Sequence, residues 1–208
     1  LLVTASPDQA IESGVTTGDG WAVEYQRFLV SLGNASLEDE DGTCNHTYSD
    51  PTYPRVFDAH MGSGQKVNLA FGLGGCTLDL ELSSPRDDSP LGKGVTVEDR
   101  DFMRTPASDE YVSDGGVSIY VCGTASKAGI EKRFAWSYRN RIDYTMVGVN
   151  VLGEIVRAVE LREDERQTLD FPIRGAALLQ DQLDPAVAVS SFDAIASADD
   201  TYGDGDGE

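Results

Sequence analysis

The chain has 208 residues, of which 40% are hydrophobic, and its 36 acidic and 16 basic residues give a formal net charge of -20. This length is enough to bury one sizeable core, so a single main domain is the simplest expectation. The charge repels phosphate backbones and anionic lipid surfaces, which argues against nucleic-acid binding and against a membrane contact made through the protein's own basic residues.

The N-terminal residues 1–17 are predicted to form an arm ahead of the main domain. The sequence begins Leu1-Leu2-Val3 without an initiator methionine, and this favours a mature, exported form whose signal or anchor segment has been removed. No apolar run reaches the length that a membrane span requires. The acidic excess suits either the attraction of divalent cations or adaptation to high salt.

Alternation of apolar and polar residues predicts a long first strand over residues 21–32. An acidic loop follows over 38–54. Residues 66–71 and 76–82 flank the glycine-rich segment 72–75, and this arrangement predicts a β-hairpin because glycine accepts the backbone angles of a tight reversal.

The remaining strand candidates share short apolar runs bounded by turn residues. They are residues 117–122, 132–138, 141–147, 155–161 and 167–173. Segments 84–92 and 97–113 are expected to be surface loops, and two short helices are expected at 174–183 and 190–198, the second with Ser190 or Ser191 as its N-cap. Together these elements predict an all-β fold, a mainly antiparallel β-sandwich with one or two short C-terminal helices and an acidic calcium-type loop. The sandwich domain is expected to span 18–189, with a helix and an Asp/Gly-rich tail in 190–208.

The C-terminal tail is the segment with the most specific chemistry. Asp204, Asp206 and Gly207 match positions 3, 5 and 6 of an EF-hand calcium loop. Position 1 falls on Tyr202, unless an insertion of two residues lets Asp200 take that role, and the sequence ends at Glu208 before a position-12 ligand. The candidate calcium ligands are therefore Asp200, Asp204, Asp206 and Glu208. A solvated acidic tail and a site completed by another chain are the alternatives.

Three further residues could bind a softer metal. His46, His60 and Met61 offer nitrogen and sulfur ligands suited to copper, although their spacing does not bring them together. Surface or capping histidines are the alternative. Ser63 lies close to His60, but the strand-turn-helix context of a nucleophilic serine is missing, so no catalytic set is predicted and the protein is not expected to be an enzyme.

The three cysteines lack the CxxC spacing of a zinc ribbon or a thioredoxin-type motif. Cys44 and Cys76 are both expected at one end of the sandwich, where they could form a disulfide, and Cys122 is interpreted as a small buried apolar residue. Three reduced structural cysteines are the alternative.

Several segments taken together resemble a family. They are residues 18–33, 55–58, 64–69, 121–125 and 192–196. In these segments the chain resembles a group of uncharacterised exported bacterial envelope lipoproteins that is loosely similar to the MbnP-like periplasmic proteins of methanobactin clusters. The resemblance implies an exported β-sandwich, a lipid anchor upstream of the mature domain and a calcium-type loop near the C-terminus. For the MbnP-like proteins it also implies copper binding.

The sequence therefore predicts a non-enzymatic, extracytoplasmic binding or structural module that binds calcium. The expected locations are the periplasm, the cell surface or the medium, with any membrane contact made through an upstream lipid anchor. One alternative is a periplasmic copper-handling or redox-accessory protein. Another is a subunit of a surface filament or envelope assembly, in which residues 1–13 or an edge strand would pair with an envelope protein or with a second copy.

Overall fold

β-Strands dominate the part of the chain that the structure describes. The computed structural model describes residues 1–39, 42–49, 53–105, 115–147, 159–182, 184 and 186–202, and it describes the side chains of all these residues except 46–49, 146–147 and 198–202. The strands are β1 (Leu2–Pro7), β2 (Val15–Thr16), β3 (Ala22–Glu38), β4 (Asn45–Ser49), β5 (Arg55–Asp58), β6 (Gln65–Leu82), β7 (Ile119–Lys127), β8 (Ile130–Tyr138), β9 (Ile142–Val147), β10 (Val159–Leu161) and β11 (Thr168–Ile173). The helices are α1 (Gln9–Ser13), α2 (Val97–Arg104) and α3 (Asp193–Tyr202), with 3₁₀ helices at Ala59–Met61 and Gly175–Leu179.

Two very long strands, β3 and β6, connect most of the others. Strand β3 pairs with β7 along its first half, with β5 at its middle and with β6 at its end. Strand β6 pairs in turn with β1, β4, β10 and β9. The main path is β11-β1-β6-β3-β7-β8, in which the β1–β11 pair is parallel and the other pairs are antiparallel. The predicted all-β, mainly antiparallel, sandwich-like class is confirmed.

The pairing of the long strands is interrupted by shifts of register. In β3 these shifts lie between Tyr25 and Arg27 and between Gly33 and Ser36. Such irregularities bend a strand and re-aim its side chains, so different parts of β3 and β6 cover one core. The largest fully buried side chains of this core include Phe28, Leu37, Phe57, Leu78 and Phe192. Leu29, on the opposite face of β3, joins a smaller cluster beneath α2.

The N-terminal segment is part of the sheet and differs from the predicted arm. Strand β1 lies between β6 and β11, and the ammonium group of Leu1 donates a hydrogen bond to the carbonyl oxygen of Ala70 at 2.7 Å. Val3 and Ala5 are fully buried, because their side chains face the main core. Since both edges of β1 are occupied, pairing of residues 1–13 with a neighbouring molecule would require β1 to leave its own sheet.

The predicted hairpin around residues 72–75 is wrong, because the chain runs straight through this segment as the middle of β6. The glycines permit close approach of other segments. A Cβ atom on Gly72 would lie 2.8 Å from Leu37 Cδ1, and one on Gly74 would lie 1.9 Å from the carbonyl oxygen of Thr43. Gly74 also has a φ of 89°. Glycine is thus needed where β4 and β10 meet β6.

Two other local predictions differ from the structure. Helix α2 lies within 97–113, where the sequence predicts a loop, and it begins with a capping box formed by Thr96 and Asp99. That Thr-x-x-Asp pattern is a helix-start signal readable from the sequence. The predicted helix at 174–183 is a 3₁₀ helix over Gly175–Leu179.

We expect Gly74→Ala to destabilise the protein more than Gly129→Ala. Gly129, in the turn between β7 and β8, has a φ of 83°, and a Cβ atom added there would meet no other atom within 4 Å. Its substitution therefore costs only the penalty of placing an alanine at a positive φ, about 1–2 kcal/mol. Gly74→Ala adds the clash with Thr43, about 1–3 kcal/mol more. Urea unfolding of both variants with the cysteines left oxidised measures the difference. Equal losses would show that close approach at Gly74 is unimportant.

Candidate functional site

The carboxylate of Asp19 is the centre of the densest polar cluster near the C-terminal helix. Its Oδ2 atom accepts hydrogen bonds from the Ser191 hydroxyl at 2.7 Å, from the Phe192 amide at 2.8 Å and from the Asp193 amide at 2.7 Å. Its Oδ1 atom accepts from the Thr17 hydroxyl. Asp19 therefore caps the N-terminus of α3 from a turn 174 residues earlier in the chain.

The turn between β2 and β3 aims this carboxylate. The Thr17 hydroxyl accepts a hydrogen bond from the Trp21 amide at 3.0 Å, and the amide of Gly18 donates to the carbonyl oxygen of Ser190 at 2.8 Å. Amides at the start of a helix lack partners within the helix, and the helix dipole favours a negative charge there. Ser190 and Ser191, the predicted N-cap residues, instead contact this turn.

The pKa of Asp19 is held well below its usual range. Burial alone would raise it, but the hydrogen bonds from Thr17 and Ser191 and from the amides of Asp193 and Phe192 outweigh burial by stabilising the ionised form. The carboxylate is therefore charged at neutral pH, where it acts as an acceptor only.

The first turn of α3 is also held by its own side chains. Asp193 Oδ1 accepts hydrogen bonds from Trp21 Nε1 at 2.7 Å and from Lys127 Nζ at 2.8 Å. Phe192 packs against the rings of Trp21 and Phe134, with centroid distances of 5.3 and 5.6 Å. These contacts fix the start of the segment that leads into the acidic tail.

The predicted calcium ligands cannot be placed as a group. Asp200 lies in α3, and its side chain is outside the described set. Asp204, Asp206 and Glu208 lie outside the described residues. The calcium site therefore stays a prediction, and the structure contributes the position of the helix that precedes it.

The predicted copper ligands lie on two different elements. His60 and Met61 belong to the 3₁₀ helix Ala59–Met61, where the amide of His60 donates to Asp58 Oδ1 at 3.1 Å. His60 is half-buried and Met61 is exposed. His46 lies in β4 opposite Gly72, and its side chain is not among those described. Within the described residues, no three His, Cys, Asp or Glu side chains are grouped so as to hold a metal ion.

The cysteine prediction is confirmed for the pair and corrected for the third residue. Cys44 and Cys76 form a disulfide with a Cα–Cα distance of 4.8 Å, and both are buried. Cys122 is a free thiol, but it is half-buried on the outer face of β7 and not enclosed in the core.

A second polar network, for which the sequence gives no prediction, joins β3 to α2. The Arg27 guanidinium donates to both carboxylate oxygens of Asp99 at 2.7 and 2.9 Å, and its Nε atom lies 3.4 Å from Asp58 Oδ2. Asp58 also accepts from the amide of Phe28 at 3.0 Å. The pKa of Arg27 is raised, chiefly by its hydrogen bond to Asp99. The contacts are all internal, so this network has a structural role.

Comparison with protein-family models, with curated proteins and with solved structures gives no match. The resemblance to envelope lipoproteins therefore stays a sequence-based prediction. Among the described residues, the helices are all too short or too polar to cross a membrane.

We expect Asp19→Asn to lower the free energy of unfolding by about 1 kcal/mol at pH 7, because the amide keeps an acceptor oxygen but loses the charge at the helix terminus. The folded-state pKa is depressed, so the stabilisation is complete above the ordinary carboxyl pKa of about 4 and is lost as the pH falls towards the lower folded value. The gap between the wild-type protein and the variant should therefore narrow as the pH falls from about 5 to about 3.

The matched control is Glu163→Gln, which removes one negative charge from an exposed residue. Urea unfolding followed by tryptophan fluorescence gives both values. Equal stability of the two variants at pH 7 would contradict the capping role of Asp19.

Proposed function

We propose that this protein is an extracytoplasmic, non-enzymatic β-sandwich module that binds calcium through its C-terminal acidic segment. The observation that carries the proposal is the buried Cys44–Cys76 disulfide. Disulfides persist in oxidising compartments and are uncommon in a reducing cytosol. This bond therefore supports the proposed exported location.

The position of the disulfide supports a structural role. It joins the segment before β4 to the middle of β6, where β10 also pairs. The bond closes a sequence separation of 32 residues, and a loop of this size corresponds to about 4 kcal/mol of stabilisation in the chain-entropy description. A covalent bond at this central junction suits a fold that must stay intact outside the reducing cytosol.

The proposed calcium function rests on the sequence of the tail and on the position of α3. Carboxylate oxygens in a flexible, glycine-containing segment are the ligands that calcium prefers. The contacts of Asp19, Trp21 and Lys127 with the first turn of α3 hold the start of this segment against the sandwich. The net charge of -20 raises the local concentration of divalent cations further.

The two alternative functions rest on sequence. Copper handling depends on His46, His60 and Met61, and the resemblance to MbnP-like proteins is its principal support. Assembly with an envelope protein or a second copy would involve a strand at the sheet margin, such as β8, since β1 is paired on both sides. An upstream lipid anchor remains part of the proposal for the exported form.

The compartment is tested by trapping thiols in intact cells of the natural source with a membrane-permeant alkylating reagent, followed by intact mass measurement. We expect one alkylated cysteine, Cys122, with Cys44 and Cys76 protected as a disulfide. Reduction after unfolding should then expose two more thiols. Three alkylated cysteines without prior reduction would place the chain in a reducing compartment and contradict the proposal.

Calcium binding is tested by calorimetric titration of the full chain. We expect one saturable site in the wild-type protein and its loss in Asp204→Asn/Asp206→Asn, because calcium needs the charged oxygen ligands. Glu163→Gln/Glu165→Gln is the matched control, since it removes the same charge from exposed residues elsewhere. Equal binding by both double variants would show diffuse attraction to the acidic surface and overturn the assignment to the tail.

A further inference from the structure

Three arginines converge on a pocket at one end of the sheet. Arg86, Arg139 and Arg141 line a concavity of about 180 Å³, together with Glu81 and Asn140 and with the backbone of Gly115 and Gly116. Glu81 lies in β6, Arg139 and Asn140 follow β8, and Arg141 immediately precedes β9. The sheet therefore brings together residues that are far apart in the chain.

The charge of this pocket is opposite to that of the whole protein. The chain carries 36 acidic and 16 basic residues, yet the lining holds three guanidinium groups and one carboxylate. Like charges at close range repel one another, so a cluster of arginines is costly unless anions compensate it. Glu81 supplies part of that compensation.

Structural contacts hold the guanidinium groups in place. Arg139 donates from Nη1 to the carbonyl oxygens of Thr105 at 3.0 Å and Gly115 at 3.1 Å, and the Arg86 guanidinium lies 5.1 Å from the ring centroid of Tyr53. Neither arginine forms an ion pair with a carboxylate of the described residues. Within that part of the chain, their remaining N–H donors are left to meet a ligand or solvent.

Arg141 is the arginine of this cluster that is already paired. Its Nε atom lies 3.6 Å from Glu81 Oε1 and 3.3 Å from Asp143 Oδ1. The other carboxylate oxygen of Glu81 accepts a hydrogen bond from Asn34 Nδ2 at 2.8 Å. Burial would raise the pKa of Glu81, but hydrogen bonds from Ser83 and Asn34 and the charges of Arg141 and Arg86 lower it overall. The pocket wall thus carries both guanidinium donors and a fixed carboxylate acceptor.

We propose that this pocket binds a small polar oxyanion, a carboxylate- or phosphate-bearing small molecule, through those donors of Arg86 and Arg139 that no described residue accepts from. Guanidinium groups match the planar edge of a carboxylate and the oxygens of a phosphate. At about 180 Å³ the concavity is smaller than the roughly 300–1,000 Å³ of pockets for drug-sized ligands, so it suits a smaller molecule. A free anion fits better than a lipid headgroup, because the overall charge of -20 repels an anionic membrane surface.

Glu81 limits which oxyanions fit. Its carboxylate would repel a second negative group placed beside it, but it would accept a hydrogen bond from a hydroxyl or ammonium group. A ligand with one anionic end and one donor end therefore suits the wall better than a symmetric dianion. Ser83 and Ser84 extend the same polar lining.

The test is titration of the full, oxidised chain with inorganic phosphate and with lactate, using sodium chloride at matched ionic strength as the reference. Backbone amide shifts of Gly115 and Gly116 report on the pocket, and fitted curves give the affinities. We expect saturable shifts with at least one of the two anions, and a preference between them identifies the phosphate or the carboxylate class. Shifts no larger than those with chloride, for both anions, would overturn the proposal.

Two variants distinguish anion binding in the pocket from a general attraction of anions to basic residues on the surface. Arg86→Gln should weaken binding about tenfold or more, as expected for loss of charge-assisted hydrogen bonds. Arg133→Gln removes the same charge from an exposed position on β8. It should change the anion affinity less than about twofold, because salt screens the effect of an exposed charge outside the pocket. Equal weakening by both variants would contradict the pocket.

Arg139→Gln provides a second measurement, because Arg139 also holds two backbone carbonyls. We expect lower stability together with weaker binding, whereas Arg86→Gln should leave the unfolding midpoint close to that of the wild-type protein. Unchanged binding in both variants would overturn the proposal. These outcomes do not depend on calcium binding, which is proposed for the acidic C-terminal segment and not for the arginine-lined pocket.

Discussion

The organisation of the sheet rests on the close approach of backbone segments at the middle of β6. At Gly72 and Gly74 there is no room for a side chain, because Leu37 and the backbone of Thr43 lie against the strand. The Cys44–Cys76 disulfide joins β6 covalently to the segment that contains Thr43. Since β6 pairs with β1, β3, β4, β9 and β10, a change at this point would disturb most of the sheet.

The acidic residues of this protein do more than solvate its surface. Asp8, Asp19, Asp58 and Asp99 each accept hydrogen bonds from backbone amides at the start of a helix or beside a strand. Amides in such positions lack partners in regular secondary structure, and a carboxylate satisfies them more strongly than a neutral acceptor does. The same excess of charge that solvates the surface therefore helps to define the helix ends.

The fold separates two regions of opposite chemistry. At one end, Asp19 and the aromatic residues Trp21 and Phe192 fix the helix that leads into the acidic C-terminal segment. Elsewhere, the ends of β6 and β8 bring guanidinium groups around a small polar pocket. A disulfide-bonded sandwich can hold both regions in place, so the proposed cation binding and the proposed anion binding would be independent of each other.

The class of the fold can be predicted from the sequence, because alternation of apolar and polar residues is a local property that survives in any antiparallel sheet. The Cys44–Cys76 disulfide and the helix near residue 193 are also predicted from the sequence, the first from the expected placement of both cysteines at one end of the sandwich and the second from local helix-start signals. Local signals could not decide whether residues 72–75 form a turn or continue a strand, since glycine permits both and the outcome depends on Thr43 and Leu37 from distant segments. The cap on α3 and the arginine pocket likewise arise only when the chain is folded. Asp19 lies 174 residues from Asp193, and Arg86 is separated by more than 50 residues from Arg139 and Arg141, so no local pattern links the members of either group.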